Sequence, residues 1–439
     1  MELTLYEELN WSALEQEYKN CCSVNLNDTP PDWADELAND WLNTLKDVYK
    51  NKKLPENKLV DVIVEKQGKA FSNAIDEVFD AVDFDSPDYV LREKLKQNVW
   101  RFSAAKNYND LTRLNNSLLH EDGSLRNWNE FKREAQKVVG DSTRYLKTEY
   151  NTIVASAQMA RLWDEIQRDK HIFPYVQFIV VKDNHTSEIC SPLHNVIVSV
   201  DDPMLLVYFP PNHFNCRTTI KKLRRGVPTK DWIRPDIPEA FKNNPAITGK
   251  VFSEDNSYIE NTPNDVLLTA GTLYANNLKE AFKDASPEFR KQLELYKLKY
   301  PLYQKTDNSL VEVSLWHDAT EPRNLVVAKH IANKFNANIK LRPHTDGKYL
   351  NEPNPEYVFD GLIADRKSPV GLNLKNLLRK AHNKQNCEVL ILDLENNNNS
   401  IDVMLNEISK KLKNPTNYPK IKRVILISKD MTDFREFRR

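Results

Sequence analysis

Residues 183–225 read DNHTSEICSPLHNVIVSVDDPMLLVYFPPNHFNCRTTIKKLRR, and only here do cysteine, histidine, a proline pair and a basic exit lie together. Cys190 and His194 form a C-x3-H pair, and His213 and Cys216 form an H-x2-C pair. Two short ligand pairs joined by one loop are a common way to build a tetrahedral structural zinc site. The alternative is that the proline pair ends a strand and the second ligand pair packs in a core without metal.

The pattern of apolar residues before this stretch differs from the pattern well after it. Upstream, apolar residues recur at helical spacing, whereas downstream of Val311 short strands alternate with helices. We therefore predict a multidomain α+β protein, in which a mainly α-helical N-terminal body and a small β module precede a C-terminal α/β domain. The predicted domains are a helical body at 1–170, a Cys/His β module at 171–226, a linker with helices at 227–300 and an α/β domain at 301–439.

Individual elements follow from the same periodicities. Between the two ligand pairs, eighteen residues alternate apolar and polar, which predicts a hairpin. In the first half we predict helices at 33–45, 58–82, 89–105 and 124–168, and strands at 175–181 and 196–200. In the C-terminal domain we predict strands at 311–316, 338–341, 357–364, 388–394 and 423–428, and helices at 322–335, 373–382 and 401–412.

Composition restricts the classes of protein to which the chain can belong. The formal net charge is −1, but residues 1–300 carry 39 basic against 46 acidic residues and residues 301–439 carry 23 against 17. This asymmetry predicts that the C-terminal part meets nucleic acid or an acidic partner, unless it is only a solvated basic face. The five scattered cysteines do not indicate a disulfide framework, and from the acidic N-terminal residues and the lack of a long apolar run we expect neither a signal peptide nor a membrane segment. We therefore expect synthesis in the cytoplasm.

The Cys/His stretch also carries a family resemblance. Its pattern, an aspartate followed by T-S-x-x-C and later P-P-x-H-x-N-C-R-T-T, resembles the signature of the phage Mu F-like minor head proteins. Upstream, Phe102–Lys106 resembles that family's F-x-A-x-K element, Asn127–Phe131 its W-x-x-F element and Thr148–Tyr150 its T-E-Y helix. Many relatives have C-x-x-C where this chain has its C-x3-H pair. The resemblance implies a head-morphogenesis protein that sits with the portal and other capsid proteins and is packaged in the virion.

A second resemblance lies in the C-terminal domain. Residues 354–369 read NPEYVFDGLIADRKSP, which is similar to the P-D-x-x-x-D-G-x-x-x-E-x-K-S-P signature of the tRNase toxin domains of contact-dependent inhibition proteins. These domains belong to the barnase, EndoU, colicin and RelE-like nuclease group. The family aspartate is Glu356 here, and the family glutamate is Asp365. The resemblance implies a nuclease-like domain that cleaves tRNA or other RNA and has an immunity protein as a partner.

The residues of this motif are suited to RNA cleavage on chemical grounds. Cleavage through the 2′-hydroxyl needs groups that move protons and a cation that stabilises the phosphate. Asp365 and Lys367, two apart on a predicted strand, should emerge on the same face. The predicted catalytic residues are Glu356, Asp365, Lys367, His317 and Glu321, and the predicted RNA-binding residues are Arg342, His344, Lys384 and Gln385. Alternatively, Glu356, Asp365 and Lys367 hold a divalent metal, or the pair is an ordinary exposed strand pair without chemistry.

Three functions remain open at this point. The leading prediction is a minor head protein of a phage or prophage that carries a ribonuclease into the capsid. The second is a purely structural capsid component whose C-terminal domain binds nucleic acid or the portal without catalysis. The third is a free intracellular toxin whose N-terminal part is merely a carrier.

Overall fold

The computed structural model describes residues 33–52, 54–55, 58–80 and 86–439. The first part of the predicted helical body, residues 1–32, lies outside the described residues. The chain divides into two compact units, one that ends at Tyr274 and one from Ala275 to Arg439. Helices dominate the first unit and a large mixed sheet dominates the second, so the predicted α+β class is confirmed.

Amphipathic helices build the body of the first unit. Ser86 caps the third of them by accepting a hydrogen bond from the Tyr89 amide, and Asn127 and Glu130 form a capping box at the fourth. The helices are α1 (Ala34–Asn51), α2 (Asp61–Phe79), α3 (Pro87–Asn116), α4 (Trp128–Arg144) and α5 (Leu146–Asp169). These bounds confirm the four predicted helical regions.

A three-stranded antiparallel sheet follows the helices. Strand β1 (Tyr175–Ile179) lies between β2 (Ile197–Ser199) and β3 (Thr219–Leu223). The hairpin predicted between the two ligand pairs is wrong, because only β2 forms there and it pairs with β1. Asp202 accepts a hydrogen bond from the Met204 amide and turns the chain into the short helix α6 (Leu205–Tyr208) instead.

The segment after the sheet packs back on α3. Asn98 accepts hydrogen bonds from the amides of Val251 and Phe252, each at 2.8 Å, and the rings of Phe102 and Phe252 stack with centroids 3.8 Å apart. The helices of this region are α7 (Pro245–Thr248), α8 (Ser257–Glu260) and α9 (Asn264–Ala281), the last of which contains the boundary between the two units.

The second unit is built on an eight-stranded mixed sheet in the order β11-β10-β9-β8-β7-β6-β5-β4. The β8–β9, β9–β10 and β5–β6 pairs are parallel, and the other pairs are antiparallel. The strands are β4 (Tyr303–Lys305), β5 (Val311–Ser314), β6 (Ile339–Leu341), β7 (Tyr357–Phe359), β8 (Leu362–Lys367), β9 (Val389–Asp393), β10 (Arg423–Ile427) and β11 (Phe434–Arg438). The helices are α10 (Pro287–Lys299), α11 (Pro322–Phe335), α12 (Lys375–Asn383) and α13 (Ile401–Leu412).

Most of the elements predicted for this unit are confirmed, with one error. The single strand predicted at 357–364 is two strands, because Asp360 and Gly361 have φ angles of 45° and 85° and turn the chain between β7 and β8. An Asp-Gly pair with both φ angles positive is the preferred hairpin turn. Strands β4 and β11 were not predicted, since both are short or polar edge strands.

None of the helices in the described ranges combines the length and the apolar character that a membrane crossing requires.

Candidate functional site

Three of the four predicted metal ligands lie together in the first unit. The Sγ of Cys190 is 3.1 Å from the Nε2 of His213 and 3.6 Å from the Sγ of Cys216, and all three residues are buried. The ligand atoms of these three residues all lie within 4.8 Å of one another. Within the described part of the chain, no other group of three or more His, Cys, Asp or Glu side chains does so. The chain between Cys190 and His213, which contains β2 and α6, brings the two Cys/His motifs together.

The histidine of this cluster presents the ring nitrogen that a metal needs. The Nδ1 of His213 donates to the carbonyl oxygen of Phe214 at 2.7 Å, so Nε2 carries the lone pair in the neutral ring. The Oγ of Ser187 lies 2.8 Å from Nε2 and accepts a hydrogen bond from the Cys190 amide. The ring is therefore held in one tautomer and aimed at the two sulfur atoms.

The two thiols share a hydrogen bond that separates their pKa values. It lowers the pKa of Cys216 well below the ordinary value and raises that of Cys190. A thiolate at Cys216 is the form of cysteine that binds metals. In a tetrahedral site with Zn–S bonds of ~2.3 Å, two sulfur atoms lie ~3.8 Å apart, close to the separation observed here.

His194 does not join this cluster. Its Nδ1 lies 3.2 Å from the amide nitrogen of Val180 and accepts that hydrogen bond, so the ring completes the pairing at the end of β1. The sequence prediction placed His194 in the ligand set because two short Cys/His pairs joined by one loop commonly build a zinc site. Here the turn at Ser191–Leu193 directs the histidine away from Cys190. Among the described residues, the clustered donor atoms are two sulfurs and one imidazole nitrogen.

The upstream motifs of the first resemblance support this module. Lys106 of the F-x-A-x-K element lies 2.8 Å from both carboxylate oxygens of Glu149 in the T-E-Y element, and both residues are almost completely buried. On the next turn of α5, Thr152 accepts a hydrogen bond from the amide of Asn215 at 2.8 Å, and Asn151 donates to the Asn215 side chain at 3.0 Å. Helix α5 thus connects the buried ion pair to the loop that carries Cys216.

In the second unit, the predicted strand pair is present. The Nζ of Lys367 lies 2.7 Å from the Oδ2 of Asp365, so both side chains do emerge on one face of β8. Tyr357 of β7 pairs with Ala364 of β8, and this register places Glu356 next to Asp365. Asp365 is fully buried.

Burial dominates the electrostatics of the two carboxyl groups. Burial and, second to it, the charge of Asp365 raise the pKa of Glu356 to about 7, while Lys367 opposes the shift. Burial also raises the pKa of Asp365, against the lowering effect of Lys367. A carboxyl group that titrates near neutral pH is suited to accepting and donating protons.

Sequence reasoning missed the ion-pair network beside this site. Arg366 lies 2.9 Å from Asp393, 3.1 Å from Glu395 and 3.3 Å from the predicted residue Glu321. Arg323 also pairs with Asp393, at 2.6 Å. The available signals were the position of Arg366 between Asp365 and Lys367 and the acidic end of the apolar strand β9.

Asn324 links this network to Glu356. Its Nδ2 donates to the Glu356 carboxylate at 2.9 Å, and its Oδ1 accepts a hydrogen bond from the Nε of Arg366 at 2.6 Å. The residue is 4% exposed. An asparagine in the first turn of a helix has no sequence signal of its own, since such residues are common there for capping.

Two predicted histidines line a cleft of about 510 Å³ in the second unit. The Nδ1 of His317 donates to the Ser314 carbonyl oxygen at 2.9 Å, and burial lowers the pKa of His317. His344 lies 4.0 Å from Asp318, whose charge in turn raises the pKa of Glu356. The other residues lining the cleft are Lys279, Arg290, Glu294, Lys297, Trp316, Thr345, Asp346, Gly347 and Asn354.

The remaining predicted RNA-binding residues are dispersed. Arg342 donates to the Pro355 carbonyl oxygen at 3.1 Å, next to Glu356. Lys384 and Gln385 follow α12, and the amides of both donate to the Lys380 carbonyl oxygen. They lie just before β9, in which Leu390 pairs with Asp365 of β8.

Comparisons with known proteins agree with this division. Residues 123–221 match the family described as Phage Mu protein F like protein, and residues 353–432 match the family described as Contact-dependent growth inhibition CdiA C-terminal domain. Both resemblances are thereby confirmed. The chain joins a region similar to Mu F to a domain similar to the CdiA C-terminal domain.

One curated relative and one solved structure bear on the two regions. The chain is 25% identical over 194 residues to the putative capsid assembly protein F of Escherichia phage Mu, and the match covers 42% of this chain and 44% of the relative. The matched region is thus less than half the length of that relative. The solved structure is the CdiA-CT/CdiI toxin and immunity complex from Burkholderia pseudomallei, 20% identical, covering 28% of this chain and 89% of that one, with a TM-score of 0.21. A TM-score of this size does not establish a shared fold.

Proposed function

We propose that the chain is a phage head-morphogenesis protein that associates with the portal and carries a C-terminal ribonuclease acting on tRNA or other RNA. The name of the phage Mu relative and the two family matches support this combination. The observation that carries the enzymatic half is the contact of Lys367 with Asp365, 2.7 Å apart, beside a Glu356 whose pKa is raised to about 7.

In this proposal the chain is made in the host cytoplasm and packaged in the virion with portal and capsid proteins. An immunity protein would protect the cell that makes the enzyme. Mass spectrometry of purified particles should find the intact chain, and cross-linking should join its first unit to the portal. Particles that assemble normally without the chain would contradict the proposed role in the head.

The ribonuclease reaction would use the residues around Glu356. The 2′-hydroxyl oxygen attacks the phosphorus while its proton passes to a base, and the bond from phosphorus to the 5′-oxygen of the next nucleotide breaks as that oxygen takes a proton from a general acid or from water. Glu356 is suited to the base role, and burial lowers the pKa of His317, which favours the neutral ring that a base needs. Lys367 would stabilise the negative charge that develops on the phosphate.

A divalent metal is the alternative to direct proton transfer at this site. The Oδ1 of Asp365 is buried and makes no hydrogen bond with the described residues, which fits an oxygen ligand for such a cation. If bound, the metal would polarise the phosphate. Glu356 and Asp365 would hold it, with Lys367 beside them.

The test is cleavage of total tRNA by the purified full chain, with and without EDTA. We expect Lys367→Ala to reduce cleavage by a factor of about 100 or more, because the developing phosphate charge loses its cation. Lys340→Ala is the matched control, since Lys340 is also a strand lysine paired with a carboxylate, 2.7 Å from Glu312. Loss of cleavage in EDTA would favour the metal form. A wild-type chain that leaves all RNA intact would refute the enzyme.

A second candidate is a C-terminal domain that binds nucleic acid or the portal without catalysis. The complete burial of Asp365 and its pairing with Lys367 favour this candidate, because a buried ion pair can stabilise the strand without taking part in catalysis. Binding of RNA or DNA in a gel-shift experiment, without cleavage and without an effect of EDTA, would support it.

We further propose that Cys190, His213 and Cys216 hold a structural zinc ion, with the fourth position supplied from outside this ligand set. The ligand types, the buried setting and the sulfur separation support this proposal. Metal analysis of the purified chain should find about one zinc per chain, lost in Cys190→Ser but retained in Cys387→Ser. Cys387 is the matched control because it is also a buried free cysteine, in the second unit. A folded wild-type chain without metal would refute the site.

A further inference from the structure

The side-chain amide of Asn324 has only one orientation that satisfies its neighbours. The Nε of Arg366, 2.6 Å away, can only donate, so the Oδ1 of Asn324 must face it. The Nδ2 must then face Glu356, where it donates to the carboxylate at 2.9 Å. The hydroxyl of Tyr357 donates to the Asn324 carbonyl oxygen at 2.9 Å and fixes the backbone of the same residue.

Both neighbours of Asn324 are themselves held. Arg366 is paired with Asp393 and Glu395, so its guanidinium is held in place independently of Asn324. Burial keeps water away from the Glu356 carboxylate, and this loss of hydration is the main reason that its pKa is raised. The amide of Asn324 is therefore a fixed donor to this carboxylate.

We propose that Asn324 is a positioning residue for the ribonuclease site, which orients the Glu356 carboxylate and links it to the Arg366 network. The inference rests on the proposed ribonuclease, because only that reaction gives the orientation of Glu356 a function. Asn324 touches neither the phosphate nor the 2′-hydroxyl in this scheme. It acts through Glu356.

Several other charged groups also act on Glu356. Asp365, Lys367 and Arg366 come from β8, Asp318 follows β5, and Arg342 follows β6. Among these groups, Arg366 also contacts Asn324. A variant that keeps an oxygen for Arg366 therefore changes mainly the contact with Glu356.

The decisive variant is Asn324→Asp in the full chain. It keeps an oxygen for Arg366 but replaces the amide donor with a carboxylate that repels Glu356. The matched control is Asn333→Asp, which adds the same charge to the same helix at an exposed position, where Asn333 accepts a hydrogen bond from the Asn308 side chain. Asn324→Ala removes the donor without adding charge and serves if the aspartate variant does not fold.

The first readout needs no catalysis. At about pH 8, where Glu356 is ionised, Asn324→Asp should lower the melting temperature of the full chain, and much of this loss should disappear in the Glu356→Gln background. At about pH 5, where Glu356 is protonated, the coupling between the two substitutions should be small. Asn333→Asp should show no coupling with Glu356→Gln at either pH. Additive effects of Asn324→Asp and Glu356→Gln at the higher pH would overturn the inference.

The second readout is the pH profile of RNA cleavage. Asn324→Asp should move the rising limb of the profile upward by about one pH unit, because a neighbouring carboxylate raises the pKa of Glu356. Asn324→Ala should reduce kcat by about tenfold or more with little change in KM. An unshifted profile in Asn324→Asp would overturn the inference. If the wild-type chain cleaves no RNA, the proposed function fails, and the stability experiment alone decides whether Asn324 controls Glu356.

Discussion

Lys106 and Glu149 form a buried ion pair in which the ammonium lies 2.8 Å from both carboxylate oxygens. The two residues are 43 positions apart in sequence, on α3 and α5, and they belong to two separate motifs of the Mu F-like resemblance. Each motif therefore supplies half of one interaction. Asp110, one turn later on α3, is also fully buried, and burial raises its pKa to about 6.

Removal of one partner of this pair should be costly. Lys106→Met leaves the Glu149 carboxylate buried without its cation, and we expect a loss of about 3–5 kcal/mol in the free energy of unfolding. The double variant Lys106→Met, Glu149→Leu should recover a large part of the loss, because the Glu149 charge that lost its cation is then absent as well. Chemical denaturation of the wild type and the two variants measures this. A double variant no more stable than the single one would show that the pair does not act as a unit.

The crossing of α2 and α3 depends on a glycine. A Cβ atom added at Gly68 would lie 2.6 Å from the Cδ2 of Trp100, whose ring is completely buried. Gly68→Ala should therefore destabilise the chain by about 1–3 kcal/mol, since neither helix can move away without loosening the core. Gly140→Ala is the control, because Gly140 is also helical but has no atom within 4 Å of its added Cβ. It should stabilise by up to about 1 kcal/mol, as alanine is the better helix former.

The hairpin between β7 and β8 depends on Gly361. This residue has a φ of 85°, which disfavours any side chain, although an added Cβ would meet no atom within 4 Å. Gly361→Ala should cost about 1 kcal/mol of stability and should weaken RNA cleavage, because the turn sets the register of Glu356 against Asp365. Gly371→Ala, at an equally open position without a positive φ, should have little effect on either measurement.

The sequence was informative wherever a contact follows from local periodicity. The two-residue spacing of Asp365 and Lys367 predicted their common face, and the 2.7 Å contact confirms it. The spacing of apolar residues predicted the helices of the first unit and most strands of the second. These features depend on neighbours in sequence, which is why single-sequence patterns describe them.

The sequence was uninformative wherever a contact depends on the path of the chain. Nothing local indicates that Asn324 lies between Glu356 and Arg366, because the three residues come together only through the packing of α11 on the sheet. His194 has the spacing of a metal ligand, but the turn before it directs its ring to the Val180 amide. Spacing limits which residues can meet, and the tertiary fold decides which of them do.

The raised pKa of Glu356 has a measurable consequence for stability. Burial moves it from the ordinary value of 4.5 to about 7, so the folded chain binds a proton in this pH interval that the unfolded chain has lost. Stability should then fall as the pH rises from about 4.5 to about 7, and no further change from this group is expected above that range.

Glu356→Gln removes this dependence, because glutamine keeps an oxygen for the Asn324 amide and carries no charge. At about pH 8 we expect the variant to be more stable than the wild type by about 1–3 kcal/mol, and at about pH 4.5 to be nearly equal to it. Denaturant unfolding of the full chain at both pH values measures the difference. Glu352→Gln is the control, since Glu352 is exposed four residues earlier, and the same change there should leave the pH dependence intact. The contrary outcome is a Glu356→Gln variant that is less stable than the wild type at the higher pH. It would mean that the favourable contacts of the ionised carboxylate outweigh the cost of its burial. The assignment of Glu356 as a proton-transfer group near neutral pH would then be wrong.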